Sequence, residues 1–434
     1  MRGAGRRVAH PGSARIDGRR RLRGRAGRRH RAGRRADLPA RRPAASRRAR
    51  PPGPRALARL LLGRGDAAAR RPLPRGSRGG PGVTTIAIDA RKIADFGIGT
   101  YLRGLIGALA RLDRDHRYLL LGGDEAAAAL PLLPGNFRWV EERAPGYSLR
   151  ELVTVSRAVR RERVDLFHAP HYVLPLALPC PAVVTIHDLI HLRFPELRSP
   201  LERTYARWMI GRATRRAARV IAVSEATARE LADRFGVDPQ RVEVIPNGVD
   251  ERFHREVPAA EVEAMLAALE LAPGYLLFVG NPKPHKNLER LLAAVARLAG
   301  RPGGPPTLVL AGDRDDDSPL PRQIAAAGLG AAVRRLGHLP DADLPALYRG
   351  AALLVQPSLW EGFGLPVAEA MALGVPVIAA DRGALPEVAG DAALLVDPED
   401  VAAIAAAIAS LLDDPAVRAD LAQRGRRRAA GLHW

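Results

Sequence analysis

The chain has 434 residues, of which 47% are hydrophobic, and it carries a formal net charge of +22. This length is sufficient for two domains that each bury a core of their own. A single cysteine, Cys180, excludes an internal disulfide, and no spaced Cys/His pattern predicts a structural zinc site. Apolar runs rarely exceed a dozen residues, so we predict no transmembrane helix and a reducing, cytoplasmic setting.

The positive charge is concentrated in residues 1–82, which hold 26 arginines, no lysine and three aspartates. The other 352 residues carry 42 basic and 43 acidic side chains, so they are close to neutral. Abundant Pro and Gly and the lack of apolar periodicity predict that residues 1–82 are disordered. One interpretation is an arm that binds nucleic-acid phosphates. The segment has no aromatic residue to stack on bases, so we favour translated upstream sequence, a natural start near Val83 and no specific nucleic-acid binding.

From Val83 onward, strand-like and helix-like segments alternate, which is typical of parallel sheets covered by helices. The first series predicts strands at 84–89, 118–121, 164–168, 183–187, 220–223 and 242–245. The second series predicts strands at 275–279, 307–311, 333–336, 353–356, 375–379 and 393–396. We therefore predict an α/β fold with two Rossmann-like domains, residues 83–255 and 256–434. Their active site is expected in the cleft between them, at the carboxyl ends of the strands.

Two loops of the first predicted domain are candidate parts of the site. Gly97 and Gly99 open a helix and allow backbone to approach donor phosphates or the acceptor, although they match neither a dinucleotide fingerprint nor a P-loop. His187 ends the predicted strand 183–187 and is expected to face the cleft, whereas a lone histidine is more often structural. His168 and His171 flank another strand end, and we predict that they line the cleft.

The loop that follows strand 275–279 is unusual in its cations. The chain has three lysines against 65 arginines, and two of the three, Lys283 and Lys286, lie in this loop. A lysine ammonium is a compact point charge, which suits a diphosphate leaving group as its negative charge grows. The alternative interpretation is a solvated loop in which the lysines are incidental.

The most informative segment follows strand 353–356. Glu361 lies in a turn with Gly362 and Gly364, and Pro366 marks the first turn of a helix. Amides at a helix start attract anions, so a pyrophosphate is expected there. Glu369 lies one turn further into the helix, where its carboxylate can accept hydrogen bonds from two neighbouring hydroxyls of a ribose or hexose. A favourable interaction with the helix dipole explains Glu361 alone, but it does not explain Glu369 among Ala and Met.

The spacing of Glu361 and Glu369 resembles the Glu-x7-Glu element of glycosyltransferase family 4, whose members are retaining enzymes of the GT-B fold. Similar motifs follow in the right order across residues 83–434: Asp89-Ala-Arg91, 97–101, 185–189, 223–225, 245–250, 279–287 and 374–377. By this resemblance Glu361, Lys286 and His187 are the expected catalytic residues. The resemblance and the loop chemistry together predict these donor-binding residues: Gly99, Asn281, Lys283, Lys286, Gly362, Phe363, Gly364, Leu365 and Glu369.

The resemblance also implies the chemistry. By this resemblance the sugar would move by front-face transfer without a metal or other cofactor. Double displacement would need a carboxylate nucleophile, and no acid of the first domain is an obvious candidate. The chain is similar to bacterial polysaccharide mannosyltransferases, which implies GDP-mannose as the donor and a glycan or lipid-linked glycan as the acceptor. A lipid-linked acceptor would place the protein in peripheral contact with the inner face of the cell membrane.

Two features depart from the family pattern. Asn281 stands where many members have arginine, so one cation of the donor site is missing. The sequence stops at His433-Trp434, where members continue with a helix that crosses back onto the first domain, so we expect a truncated C-terminus. A sugar-nucleotide-binding protein of the same fold without catalysis is therefore the alternative. A dehydrogenase is disfavoured because no dinucleotide fingerprint follows either first strand.

Overall fold

The structure is a computed structural model that describes residues 83–130, 132–312 and 319–434. The Arg-rich residues 1–82 lie outside the described residues. The predictions of disorder, of a start near Val83 and of no specific nucleic-acid binding concern this segment. Among the helices of the described residues, none is both long enough and apolar enough to cross a bilayer.

The first sheet has seven strands, and all of its paired strands are parallel. Its spatial order is β3-β2-β1-β4-β5-β6-β7. The strands are β1 (Thr85–Asp89), β2 (Arg117–Gly122), β3 (Phe137–Glu141), β4 (Leu166–Ala169), β5 (Ala182–Ile186), β6 (Arg219–Ala222) and β7 (Val242–Val244). The helices of this part are α1 (Ile98–Leu112), α2 (Asp124–Ala128), α3 (Glu151–Arg161), α4 (Ile190–Arg193), α5 (Pro200–Arg216) and α6 (Glu225–Phe235). We call this part the N-terminal lobe.

The second sheet has six parallel strands in the order β10-β9-β8-β11-β12-β13. The strands are β8 (Tyr275–Val279), β9 (Leu308–Ala311), β10 (Val333–Gly337), β11 (Ala351–Gln356), β12 (Val377–Ala380) and β13 (Ala393–Val396). The helices are α7 (Ala259–Ala268), α8 (Leu288–Ala296), α9 (Leu320–Ala326), α10 (Leu344–Gly350), α11 (Leu365–Leu373), α12 (Leu385–Ala389), α13 (Val401–Asp413) and α14 (Pro415–Ala429). We call this part the C-terminal lobe.

Both sheets are buried on their two faces, as the continuous apolar strands require. Four of the five residues of β8 are buried, and apolar side chains pack against each side of that sheet. Helices supply the cover: on α1, for example, Leu102, Leu105 and Leu109 form one buried face. The central strands therefore read as unbroken apolar runs, which is the pattern of a parallel sheet between helical layers.

The predicted fold class is confirmed, since each lobe is a Rossmann-like parallel sheet covered by helices. One strand, β3, was missed by the sequence analysis. Arg138 and Glu141 interrupt its apolar pattern, and Arg138 is exposed because β3 is the edge strand of its sheet. An edge strand with charged residues has no continuous apolar run to identify it.

The last residues of the chain return to the N-terminal lobe. After α14, the amide of Val249 donates to the carbonyl of Leu432 over 2.7 Å. The ring of Trp434 then packs edge-on against Tyr101, with ring centroids 5.6 Å apart. These contacts connect the C-terminal segment to α1 and to the segment between the two lobes.

Candidate functional site

The candidate site lies where the strand order of the C-terminal sheet reverses. Strands β8 and β11 are neighbours, although two strands separate them along the chain. The lysine-containing loop follows β8, and the turn that contains Glu361 follows β11. In doubly wound sheets, loops at such a reversal open a crevice that binds ligands.

The two loops meet at the Glu361 carboxylate. Lys286 Nζ donates to Glu361 Oε1 over 2.7 Å, and Ser358 Oγ donates to the same oxygen over 2.7 Å. Gln356 Nε2 approaches that oxygen at 3.3 Å. Since these donors all converge on Oε1, the second oxygen, Oε2, is left to accept hydrogen bonds from a ligand.

The charge of Glu361 is stabilised by its neighbours. Glu361 is only 7% exposed, and burial alone would raise its pKa. The ammonium group of Lys286 and the hydrogen bonds overcome this effect, so that the pKa of Glu361 lies below its usual value. A paired, ionised carboxylate therefore lies where the two loops meet.

The turn after Glu361 requires glycine at two positions. A Cβ on Gly362 would collide with the backbone carbonyl of His187, so the two lobes meet at this residue. Gly364, the N-cap residue of α11, has a φ of 97°, and a Cβ there would collide with Leu385. The first amides of a helix have no partner within the helix, so this turn presents donors beside Glu361.

The other predicted residues of this turn are divided between the turn and the core. The side chain of Phe363 is 6% exposed and belongs to the apolar core, so only its backbone is available to a ligand. Leu365 is the first residue of α11 and is half-buried. A contact of Phe363 or Leu365 with the donor remains a prediction.

Glu369 lies one turn into α11, where it accepts a hydrogen bond from Tyr348 Oη over 2.8 Å. Burial raises the pKa of Glu369 to about 7, with further increases from the carboxylates of Asp341 and Asp250. Glu369 and Glu361 thus differ in protonation behaviour although they share a helix and the turn before it.

The polar residues of the loop after β8 differ in their exposure and contacts. Lys286 contacts Glu361, whereas Lys283 is exposed. Asn281 is half-buried, and its Oδ1 is a buried acceptor without a hydrogen-bond partner among the described residues. Burial and the nearby Lys286 ammonium lower the pKa of His285 to about 4, so this ring is neutral. Lys286 is therefore the cation of this loop that the structure brings to Glu361.

His187 adjoins this site from the N-terminal lobe, since its backbone carbonyl lies against Gly362. It follows β5, and its Nε2 lies 2.8 Å from the backbone carbonyl of Pro170. A carbonyl only accepts, so Nε2 carries the proton and Nδ1 is left as an acceptor. Burial lowers the pKa of His187, which keeps the imidazole neutral.

A buried polar cluster supports His187. The Tyr101 ring packs edge-on against His187, with centroids 4.9 Å apart, and Tyr101 Oη lies 2.9 Å from Thr185 Oγ1. His168 Nε2 lies 2.9 Å from the same hydroxyl.

The prediction that His168 and His171 line the cleft was wrong, because they are 0% and 2% exposed and lie within the lobe.

Gly99 has a packing explanation. It is buried at the start of α1, where a Cβ would collide with the carbonyl of Ile93, and its amide donates to Asp95 over 3.1 Å. A contact of Gly99 with the donor remains a prediction.

Three further residues position the side chains of the site, and the sequence analysis did not identify them. Gln356 and Ser358 orient Glu361, and Tyr101 packs against His187. The sequence signal for Gln356 was a polar residue at the end of an otherwise apolar strand. In the described residues, no group of three or more His, Cys, Asp or Glu side chains is arranged to hold a metal ion.

Two family models match the chain. The model described as Glycosyltransferase Family 4 matches residues 97–253, and the model described as Glycosyl transferases group 1 matches residues 268–428. The first match covers most of the N-terminal lobe and the second covers most of the C-terminal lobe.

Characterised relatives include mannosyltransferases. O-antigen chain mannosyltransferase B of Escherichia coli is 32% identical over 306 residues, which cover 70% of this chain and 77% of that protein. MMP alpha-(1->4)-mannosyltransferase of Mycolicibacterium hassiacum is 36% identical over 240 residues, which cover 54% of this chain and 55% of that protein. The chain thus spans about half the length of the second relative.

Solved structures show the same fold. Sucrose-phosphate synthase from Thermosynechococcus elongatus superposes with a TM-score of 0.67 at 24% identity, covering 81% of this chain and 95% of that one. Anabaena HepE in complex with UDP-glucose superposes with a TM-score of 0.63 at 21% identity, covering 80% of this chain and 95% of that one.

Proposed function

We propose that this chain, which belongs to glycosyltransferase family 4 and is a glycosyltransferase, moves a hexose from a nucleotide diphosphate sugar to a hydroxyl group. The acceptor would be a glycan or a lipid-linked glycan, and the configuration at the anomeric carbon would be retained. The observation that carries this proposal is the ion pair of Lys286 and Glu361 beside the turn before α11, in which Gly362 lies against the backbone of His187.

The leaving group is the part of the reaction that this pair fits. When the glycosidic bond breaks, negative charge grows on the diphosphate, and fixed cations and amides stabilise it best in a water-poor crevice. Lys286 and the first-turn amides of α11 supply such groups. We infer that they make a metal ion unnecessary, so that a chelator leaves the transfer rate unchanged.

The sugar would be oriented from both lobes. Glu361 Oε2 can accept a hydrogen bond from a sugar hydroxyl while Oε1 remains held by its three donors. His187 Nδ1 can accept a second hydroxyl hydrogen bond from the opposite wall. In the proposed front-face reaction, the departing diphosphate accepts the proton of the attacking hydroxyl.

The nucleotide would extend along α11 to Glu369, whose carboxylate would accept hydrogen bonds from the ribose hydroxyls. GDP-mannose is the proposed donor, since the two curated relatives described above are named as mannosyltransferases. UDP-glucose is the natural comparison, because HepE has been solved in complex with it.

The test begins with thermal unfolding of the purified chain in GDP, UDP, GDP-mannose and UDP-glucose. A donor at a hundred times its Kd should stabilise the folded state by about 2.7 kcal/mol. Release of nucleoside diphosphate is then measured with mannose oligosaccharides and with lipid-linked glycans as acceptors.

Stabilisation and acceptor-dependent release with GDP-mannose support the proposal. Stabilisation without release for every acceptor would instead identify a non-catalytic sugar-nucleotide-binding protein. The lack of stabilisation by any of the four nucleotides would contradict both functions.

A further inference from the structure

A carboxylate of the C-terminal lobe contacts the start of a helix in the N-terminal lobe. Glu387, on α12, accepts a hydrogen bond from the amide of Glu225 over 2.8 Å and from the amide of Ala226 over 3.2 Å. These amides belong to the first turn of α6, an 11-residue helix. The two partners are more than 160 positions apart in sequence, so the contact joins the lobes.

Helix α6 already has a cap from its own lobe. Ser224 Oγ accepts a hydrogen bond from the amide of Thr227 over 3.0 Å. The first amides of a helix otherwise have no partner, and a negative charge there interacts favourably with the helix dipole. Glu387 therefore adds an interaction that α6 does not need for its own N-cap.

The same helix start contacts the catalytic crevice. Thr227 Oγ1 lies 3.3 Å from the carbonyl oxygen of His187 and 3.5 Å from the carbonyl oxygen of Gly362. Val223, just before the cap, is 1% exposed and lies in the same apolar cluster as Phe363. The Glu387 contact thus lies beside the place where the two walls of the crevice meet.

Glu387 is also connected to Glu361 through a short segment. The amide of Ala384 donates to the backbone carbonyl of Glu361 over 3.1 Å, and the amide of Val388 donates to the carbonyl of Ala384 over 2.9 Å. A Cβ on Gly383 would come within 3.0 Å of the Glu361 backbone, so this segment packs closely behind the turn. The helix that carries Glu387 is therefore hydrogen-bonded to the backbone of the turn that carries Glu361.

The two lobes meet at the turn that carries Glu361. Glu361 is 7% exposed, and Gly362 touches the backbone of His187. Separation of the lobes at this turn would break both hydrogen bonds of Glu387.

We propose that Glu387 is a positioning residue whose carboxylate, bound to the first turn of α6, holds the lobes closed and sets His187 against the turn of Glu361. The inference rests on the proposed function and adds a device for closing its site. The donor would bind mainly to the C-terminal lobe, so loss of the contact slows transfer more than it weakens donor binding.

The variants are Glu387→Ala, which removes both acceptors, and Glu387→Gln, which keeps one. Glu399→Gln, an exposed acid of the same lobe, is the control. Hydrogen exchange of the Glu225 and Ala226 amides reports the contact directly, and the small-angle scattering radius reports lobe separation. Thermal unfolding verifies that each variant is folded.

In Glu387→Ala we expect both amides to exchange about tenfold faster, corresponding to about 1.4 kcal/mol, with a larger scattering radius. We expect kcat for GDP-mannose to fall about tenfold and KM to change less than about twofold, with Glu387→Gln intermediate and Glu399→Gln unchanged.

Unchanged exchange and radius in Glu387→Ala would overturn the closing role. Faster exchange with an unchanged kcat would overturn the positioning role. If the parent chain transfers no sugar but the variant still exchanges faster and expands, the closing contact is supported and the proposed function fails separately.

Discussion

The two walls of the crevice differ in their chemistry. The wall of the C-terminal lobe is charged, with Lys286 and Glu361 paired beside the amides at the start of α11. On the wall of the N-terminal lobe, His187 is uncharged and is fixed by Pro170 and Tyr101. In the proposed reaction, charge develops on the donor diphosphate, so fixed charge is needed on one wall and an oriented hydrogen-bond acceptor suffices on the other.

The largest effect is expected from Glu361→Gln. The amide keeps the shape of the carboxylate but loses the charge that pairs with Lys286 and weakens the hydrogen bond to the sugar. We expect the transfer rate to fall about 10²–10³-fold, measured as release of nucleoside diphosphate. Glu399→Gln is the matched control, and near-parental turnover of Glu361→Gln would remove this residue from the reaction.

A comparison of the two loop lysines tests which cation serves the diphosphate. Lys286→Ala should lower transfer about 10²-fold, because it removes the buried charge beside Glu361. Lys283→Ala should cost only a few-fold, about 1 kcal/mol or less, since this side chain is exposed. Equal losses in the two variants, measured in one transfer assay, would show that the loop acts as a diffuse positive surface instead.

The pH dependence of donor binding tests the proposed role of Glu369. The pKa of Glu369 is raised to about 7, so this group is protonated below that pH and ionised above it. If the ribose needs the carboxylate, donor affinity should fall as pH decreases through 7, by about tenfold between pH 8 and pH 6.

Tyr348→Phe sharpens this measurement. The hydrogen bond from Tyr348 lowers the pKa of Glu369, so its removal should shift the affinity profile to higher pH. Calorimetric titration with GDP checks both profiles. Identical affinities at pH 6 and pH 8 in the parent protein would exclude Glu369 as the ribose acceptor.

The smallest effect is expected for the uncharged His187. His187→Ala removes one hydrogen-bond acceptor without removing a charge, so transfer should fall about 3–10-fold. The steady-state rate at saturating GDP-mannose measures this change. A loss as large as that of Glu361→Gln would mean that both walls stabilise charge, which contradicts the comparison.

Most strands of the two sheets could be predicted because each appears in the sequence as a local run of apolar residues. Strands such as β8 are continuous apolar runs, and parallel sheets buried on both faces require such runs. Strand β3 lacks this pattern because it lies at an edge, where Arg138 can be exposed to water. Sequence periodicity therefore finds the central strands of a sheet more readily than its edge.

Part of the site was also visible in the sequence. Lys286 and Glu361 were singled out by the rarity of lysine and by a turn with two glycines, and the structure brings them together. Their donor and catalytic roles remain predictions.

Contacts between distant segments were not visible. The convergence of Gln356 and Ser358 on one oxygen depends on the exact shape of the turn. The burial of His168 and the contact of Glu387 with α6 depend on how layers and lobes pack. No local pattern in the sequence encodes these distances.

The central claim is that the charged wall holds the donor diphosphate opposite His187. A crystal structure of the chain with bound GDP tests it most directly. We predict that the terminal phosphate lies within hydrogen-bond distance of Lys286 Nζ and of an amide at the start of α11, with the ribose at Glu369. A nucleotide bound elsewhere, with the pair of Lys286 and Glu361 untouched, would contradict the account.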